Sequence, residues 1–190
     1  MTPPVITVDA STRLRPWRAD DVVALYDAVM VDQEHVARRL RWADGIYTTD
    51  RADEFIARTI LEYREGHLNY AIEVDGAVAG GIGVPRFIAD EREFEIGYWL
   101  SQPYTGRGVM TRCAEALTRF LFRERQAHRV QIAALTENTA SCAVAERLGF
   151  SLEGVFRRAR MNRGQWCDLA WYAIDEDEWA ARPTALRPQA

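Results

Sequence analysis

A mixed α/β domain is the fold class that this 190-residue sequence predicts. Three observations carry the prediction. Segments with a two-residue hydrophobic period interleave with segments at helical spacing along most of the chain. Asp75-Gly76, between two apolar runs, is a hairpin signal, because a type I′ turn needs positive φ. A content of 48% hydrophobic and 27% charged residues supplies a core and a wettable surface.

Thr12 to Trp17 is predicted as the first strand. Asp20 and Asp21 favour a helix start, with Val22, Leu25, Tyr26 and Val29 at helical spacing. A second helical stretch, from about Gln33 to Leu40, carries Arg38, Arg39 and Arg41. Asp50 is expected to cap a third helix, whose stripe is Phe55, Ile56, Ile60 and Tyr63. Tyr70, Ile72 and Val74 alternate with Ala71 and Glu73, which reads as a half-buried strand. The return strand runs from about Ala77 to Phe87, where Gly80, Gly81 and Gly83 allow a bulge or close backbone approach.

Phe94, Ile96, Tyr98 and Leu100 alternate with Glu93, Glu95, Gly97 and Trp99, giving a strand that ends at Ser101-Gln102-Pro103. After a glycine-containing loop, Val109, Cys113, Leu117, Phe120 and Leu121 mark a helix. Val130, Ile132 and Ala134 form a strand. Asn138 opens a shorter helix, and Gly149 closes it as a left-handed cap. Two last strands lie near Phe150–Met161 and Gln165–Ile174. The length suits one domain over residues 1–181, with 182–190 expected as a flexible tail.

Composition excludes several function classes. A net charge of −4 argues against a broad nucleic-acid footprint, which needs clustered cations. All 24 basic residues are arginine, which reflects either codon usage in a GC-rich genome or phosphate recognition. No apolar run reaches the roughly 18 residues of a membrane span, and Met1-Thr2-Pro3-Pro4 lacks a signal pattern, so a cytoplasmic protein is expected. Cys113, Cys142 and Cys167 stand far apart, and His35, His67 and His128 lack ligand spacing, so no metal is expected.

The chemistry concentrates on one junction. Strand Glu93–Leu100 leads into Thr105-Gly106-Arg107-Gly108 and then a helix from Val109. Glycines there let amides turn toward one point, and the helix start adds free N–H groups and positive dipole. That makes an anion site suited to a pyrophosphate, with Arg107 as an outside cation. A plain loop with two turn glycines fits these residues equally. A dinucleotide fingerprint needs a further Gly where Thr111 stands. A P-loop is excluded, because no Gly-Lys-Ser/Thr occurs.

Glu95-Ile96-Gly97-Tyr98-Trp99-Leu100 followed by Tyr104-Thr105-Gly106-Arg107-Gly108-Val109-Met110 resembles the acetyl-CoA motif of GNAT acyltransferases. Asn138-Thr139-Ala140-Ser141 and Glu146-Arg147-Leu148-Gly149-Phe150 resemble that family's second signature. Together they resemble the RimJ/RimL-type branch, over about residues 12–175. The resemblance implies the GNAT fold, an α+β arrangement with a mostly antiparallel central sheet and helices on both faces. It also implies acetyl-CoA as co-substrate, an amine acceptor that is a protein N-terminus or a small molecule, and often a dimer. The usual loop has Gln or Arg where this chain has Thr105, and Gly or Ala where it has Met110. Met at the latter place is common in the RimJ/RimL-type branch.

On that resemblance, Thr105, Gly106, Arg107, Gly108, Val109 and Met110 bind the pyrophosphate. The backbone of Tyr98, Trp99 and Leu100 pairs with the pantetheine arm and polarises the thioester carbonyl. Asn138 bonds a pantetheine amide while serving as an N-cap. Ser141 is the candidate donor to the departing thiolate, against the plainer reading of a helix-terminal serine bonding backbone. Glu95 is the candidate base, against an ion-paired sheet residue. Where some RimL-type members carry a glutamate, this chain has Arg160, either an acidic-substrate contact or a surface charge. Asp168 is expected to organise structure. Trp42, Tyr47, Tyr70 and Trp166 are candidates for an acceptor cleft, against the plainer reading of core aromatics. Arg38, Arg39 and Arg41 are candidates for an acidic acceptor or the CoA 3′-phosphate, against the plainer reading of a solvated helix face. Two other functions fit the same motifs: a non-catalytic acyl-CoA-binding or sensory module, and an acyltransferase using another donor such as succinyl-CoA.

Overall fold

The computed structural model describes residues 2–38 and 41–182. Two short strands come first, β1 (Ile6–Thr7) and β2 (Thr12–Pro16). Helices α1 (Val22–Met30), α2 (Gln33–Ala37) and α3 (Thr49–Glu62) follow. Strands β3 (Asn69–Val74), β4 (Ala77–Ile88) and β5 (Glu93–Leu100) form a meander. Helix α4 (Val109–Glu124), strand β6 (Arg129–Leu135) and helix α5 (Thr139–Arg147) come next. A hairpin of β7 (Ser151–Asn162) and β8 (Gln165–Asp175) precedes α6 (Glu176–Ala181).

The eight strands form one sheet in the order β1-β2-β3-β4-β5-β6-β8-β7. Every neighbouring pair is antiparallel except β5 with β6. Helices cover both faces, as the resemblance implies. On one face, Cys113 and Leu117 of α4 and Val144 of α5 pack with Ile72, Ile96 and Ile132. On the other, Leu25 and Val29 of α1 and Ile56 of α3 pack with Trp17 and Ala71.

Several expectations change in detail. Thr48, not Asp50, caps α3: its side chain accepts the Arg51 N–H, and Asp50 lies in the first turn. β3 is not half-buried. Ala71 and Glu73 are inside as well, because α1 and the turn before it cover their face. Glu73 tolerates this by pairing with Arg15, which also holds Asp21 through two bonds of 2.6 and 2.8 Å. The Asp75-Gly76 turn has φ of 50° and 82°, as a type I′ hairpin requires. In β4 both glycine expectations hold. The register shifts between Gly83 and Arg86, and a Cβ on Gly80 would sit 2.3 Å from the Trp99 carbonyl.

β1 and α6 have no counterpart in the sequence reading. α6 carries a capping box between Asp175 and Glu178. Its Trp179 stacks on Phe122, and the Arg182 guanidinium lies 3.9 Å over Trp179 while bonding Glu115 at 3.2 Å. The rest of the expected tail, 183–190, lies outside the described residues, as do Arg39 and Leu40.

The β5–β6 pair positions the site. Its register runs Glu93↔Arg129, Phe94↔Val130 and Glu95↔Gln131, and stops there. Beyond that point β5 stays with β4 as far as Leu100, and β6 stays with β8 as far as Leu135. The two strands splay, leaving facing edges whose backbone groups need partners.

Candidate active site

A cleft of about 1560 Å³ opens from the splay. One end is the loop between β5 and α4. Gly106 and Gly108 hold φ of 69° and 71°, a region open to glycine and strained for other residues. The α4 backbone ladder begins with the Arg112 N–H bonding the Gly108 carbonyl at 3.1 Å. The amides before it have no acceptor within the helix, as at any helix N-terminus. Arg112, which also lines the cleft, holds the loop by donating to the Arg107 carbonyl at 3.1 Å and pairing with Asp9 at 2.8 Å. Bonds from the Ser11 N–H and from Arg112 outweigh the effect of burial on Asp9 and lower its pKa to about 2.

Thr105, Gly106, Gly108, Val109 and Met110 line the cleft, whereas Arg107 stands outside the lining. The Thr105 hydroxyl is turned back onto the Gln102 carbonyl at 2.8 Å, so it shapes the turn.

At the splay, Asn138 caps α5 and accepts the Ser141 N–H at 3.3 Å. This presents Ser141, which is buried, on the cleft wall. The Tyr98 hydroxyl lies 2.9 Å from the Ser141 hydroxyl. Burial pushes the Tyr98 phenol up to about 12, partly offset by the Ser141 bond, so it keeps its proton at neutral pH. Sequence reasoning used only the Tyr98 backbone. The signal that was available is alternation, which sends Tyr98 to the α5 side with its hydroxyl as a polar tip.

Glu95 faces the other way. Ile96 and Tyr98 belong to the core under α4 and α5, whereas Trp99 packs with the α1–α3 core. Glu95 shares the Trp99 face. It lines the cleft, half-buried, and makes no hydrogen bond or ion pair among the described residues. Burial raises its pKa, while the fields of Arg160 and then Arg86 act against the rise. The splay therefore joins a hydroxyl pair on one face of the sheet to a carboxylate on the other.

The aromatic expectations divide. Trp42 and Tyr47 line the cleft, with Trp42 5.5 Å from Trp99 and 5.8 Å from Tyr47. Tyr70 does not; it is fully buried core. Trp166 is exposed on the hairpin and also outside the lining. Arg38 pairs with Glu34 at 3.4 Å on the surface, and Arg39 lies outside the described residues. Asp168 holds the Arg158 N–H at 2.8 Å, a structural task. Cys113 is fully buried and its thiol is pushed up to about 12 by burial, so it is no nucleophile.

A family model described as an acetyltransferase (GNAT) domain matches residues 12–151. The putative ribosomal N-acetyltransferase YdaF of Bacillus subtilis (strain 168) is 28% identical, covering 90% of this chain and 95% of its own. The ribosomal-protein-serine acetyltransferase of Escherichia coli (strain K12) is 24% identical, over 88% of this chain and 94% of its own. Among solved structures, RimL, a ribosomal L7/L12 alpha-N-protein acetyltransferase in complex with coenzyme A, superposes with a TM-score of 0.87 at 27% identity. That match covers 92% of this chain and 99% of RimL.

Proposed function

The chain belongs to the GNAT acetyltransferase family, and on that premise we propose that it moves the acetyl group of acetyl-CoA to a primary amine by direct attack in a ternary complex. The acceptor is a protein N-terminus or a small amine. Relatives named for ribosomal-protein acetylation favour the protein N-terminus.

The observation that carries the reading is the Tyr98–Ser141 hydroxyl pair at the mouth of the splay. In this reading, the amides from Gly106 to Met110 hold the pyrophosphate, with Thr105 shaping the turn and Arg107 supplying charge from outside. The free edge at Tyr98, Trp99 and Leu100 pairs with the pantetheine arm, and Asn138 bonds one of its amides. The thioester then lies in the splay, between the hydroxyl pair and Glu95.

The amine enters from the Glu95 face and gives up a proton to that carboxylate, directly or through water. Its lone pair attacks the thioester carbon, and a backbone N–H of the β5 edge stabilises the oxyanion. The C–S bond breaks, and the departing thiolate takes a proton from Ser141. The second proton that the nitrogen sheds on becoming an amide passes through water and Tyr98 to restore the Ser141 hydroxyl. The amide product and CoA leave. No protein–acyl intermediate forms, in keeping with the inert Cys113. The reading includes a single domain over 1–181 working in the cytoplasm.

Initial rates measured while acetyl-CoA and the amine are both varied test this scheme. Intersecting lines in the double-reciprocal plot are expected. Parallel lines, the sign of a covalent enzyme intermediate, would overturn it.

A further inference from the structure

Amine acetylation by itself demands nothing of the acceptor beyond its nitrogen, yet the acceptor side of the cleft is not neutral. The β7–β8 hairpin falls out of step between Phe156↔Leu169 and Arg160↔Cys167. Arg157, Arg158 and Ala159 there oppose only Asp168, which makes a bulge. Arg158 at its centre has φ of 50°, and its N–H is held by the Asp168 carboxylate at 2.8 Å. Bulges bend strands and re-aim side chains.

Beyond this bulge the hairpin tip reaches α2. The Asn162 amide nitrogen donates to the Arg38 carbonyl at 2.9 Å, and Arg163 pairs with Glu34 at 2.8 Å. Arg160 and Asn162, two residues apart on β7, therefore line the same cleft as Glu95.

Both are unfinished. Arg160 has no hydrogen bond or ion pair among the described residues, and its charge acts on Glu95 across the cleft. Of the other arginines, Arg38 and Arg163 are engaged by Glu34, Arg86 by Glu93 and Arg112 by Asp9. Arg147 lines the cleft beside α5, apart from the β7–β8 hairpin that carries Arg160. Asn162 is only 7% exposed, and its Oδ1 is buried with no hydrogen-bond partner among the described residues. A buried acceptor without a donor is a standing free-energy cost, relieved when a ligand brings an N–H.

We propose that Arg160 and Asn162 form an acceptor subsite that selects amines carrying a carboxylate close to the reacting nitrogen. Arg160 binds the carboxylate through its guanidinium fork, and Asn162 Oδ1 accepts an N–H of the acceptor. The subsite rests on the acetyl-transfer reading and names the acceptor class for it. Two sources offer this chemistry: an acidic side chain just after a protein N-terminus, and the carboxylate of a free amino acid.

The test uses the full chain saturated with CoA for calorimetry, or acetyl-CoA for turnover. Acceptors are short peptides with Glu, Gln or Lys at the second position, and a free amino acid beside its amide. Arg160→Glu and Arg160→Gln are compared with wild type. Arg160 is exposed on an edge strand, so both variants should keep the wild-type melting temperature. Wild type should favour carboxylate-bearing acceptors about tenfold or more over their Gln or amide counterparts, in affinity and in kcat/KM. Arg160→Gln should erase that preference, and Arg160→Glu should turn it toward Lys. A preference confined to the Glu peptide assigns a protein source; one confined to the free amino acid assigns a metabolite.

Equal affinities for all acceptors in wild type, or an unchanged preference in Arg160→Glu, would overturn the subsite. No acetylated product from any acceptor, with the charge preference still present in calorimetry, would overturn the transfer reading alone. No binding by any acceptor would overturn the subsite too.

Discussion

The Tyr98 and Ser141 hydroxyls meet at 2.9 Å where β5 parts from β6, although 43 residues separate them in the chain. Tyr98 comes from a strand and Ser141 from the first turn of a helix capped by Asn138. Tyr98 holds its proton at neutral pH, so the pair keeps a protonated phenol beside the Ser141 hydroxyl on the cleft wall.

Ser141→Ala should therefore lower kcat by about 100- to 1000-fold, the range for losing one aimed donor. CoA affinity should change less than about threefold, since the loop amides remain. Tyr98→Phe should give a smaller loss of the same kind. Steady-state kinetics with CoA titration by calorimetry separates the two effects. Equal losses of CoA binding and turnover would assign Ser141 to structure alone.

Glu95 should set the acid limb of the pH–rate profile. It acts as a base only when ionised, and its pKa lies above the ordinary 4.5 because burial disfavours the charge. Activity should fall as pH drops through that raised value. Glu95→Gln should lower kcat/KM by about 100-fold and flatten the limb. Arg160→Gln removes the cation that opposes the rise, so the limb should move further up. A Glu95→Gln profile with the wild-type limb intact would assign the base elsewhere.

Gly108→Val should weaken acetyl-CoA binding by at least about tenfold. A β-branched residue strains at φ of 71°, and its Cβ would press on the Arg112 guanidinium, 3.0 Å away, which secures the loop. Gly106→Ala is the milder comparison: φ is 69°, but nothing lies within 4 Å of a new Cβ. Calorimetry on both folded variants checks the order. Wild-type affinity in folded Gly108→Val would remove the loop from the CoA site.

Stability should fall with acid through the Arg15 network. Burial tends to raise the Glu73 pKa, but its bonds to Arg15 and Arg13 outweigh this and lower it below 4.5. A carboxylate depressed on folding stabilises the protein above its unfolded pKa. That contribution is lost as pH falls from about 4.5 through the folded value. Arg15→Ala should cost about 3 kcal/mol at neutral pH, because it strands Asp21 as a buried charge and leaves Glu73 with Arg13 alone. Denaturant melts of wild type and variant at neutral and acid pH measure both effects, and the gap between them should narrow in acid.

Much of the fold and part of the site were legible in the sequence. The Glu93–Leu100 strand, the Asp75-Gly76 turn and the Asn138 cap all follow from local rules, and local rules suffice where neighbours in sequence are neighbours in space. Glu73 was misread because its burial depends on α1 covering a face that alternation alone leaves open. The Thr48 cap was displaced to Asp50 because both residue types cap well. Tyr98–Ser141 and Asn162–Arg38 join distant segments, and only the splay and the bulged hairpin bring them together.

The most direct test of acetyl transfer is mass spectrometry after incubation with isotopically labelled acetyl-CoA and a panel of N-terminal peptides and small amines. The expected result is one labelled acetyl group on an acceptor amine, matched by an equal release of free CoA thiol, with the protein unlabelled. Label retained on the protein, or thiol release without an acetylated amine, would contradict direct transfer in a ternary complex.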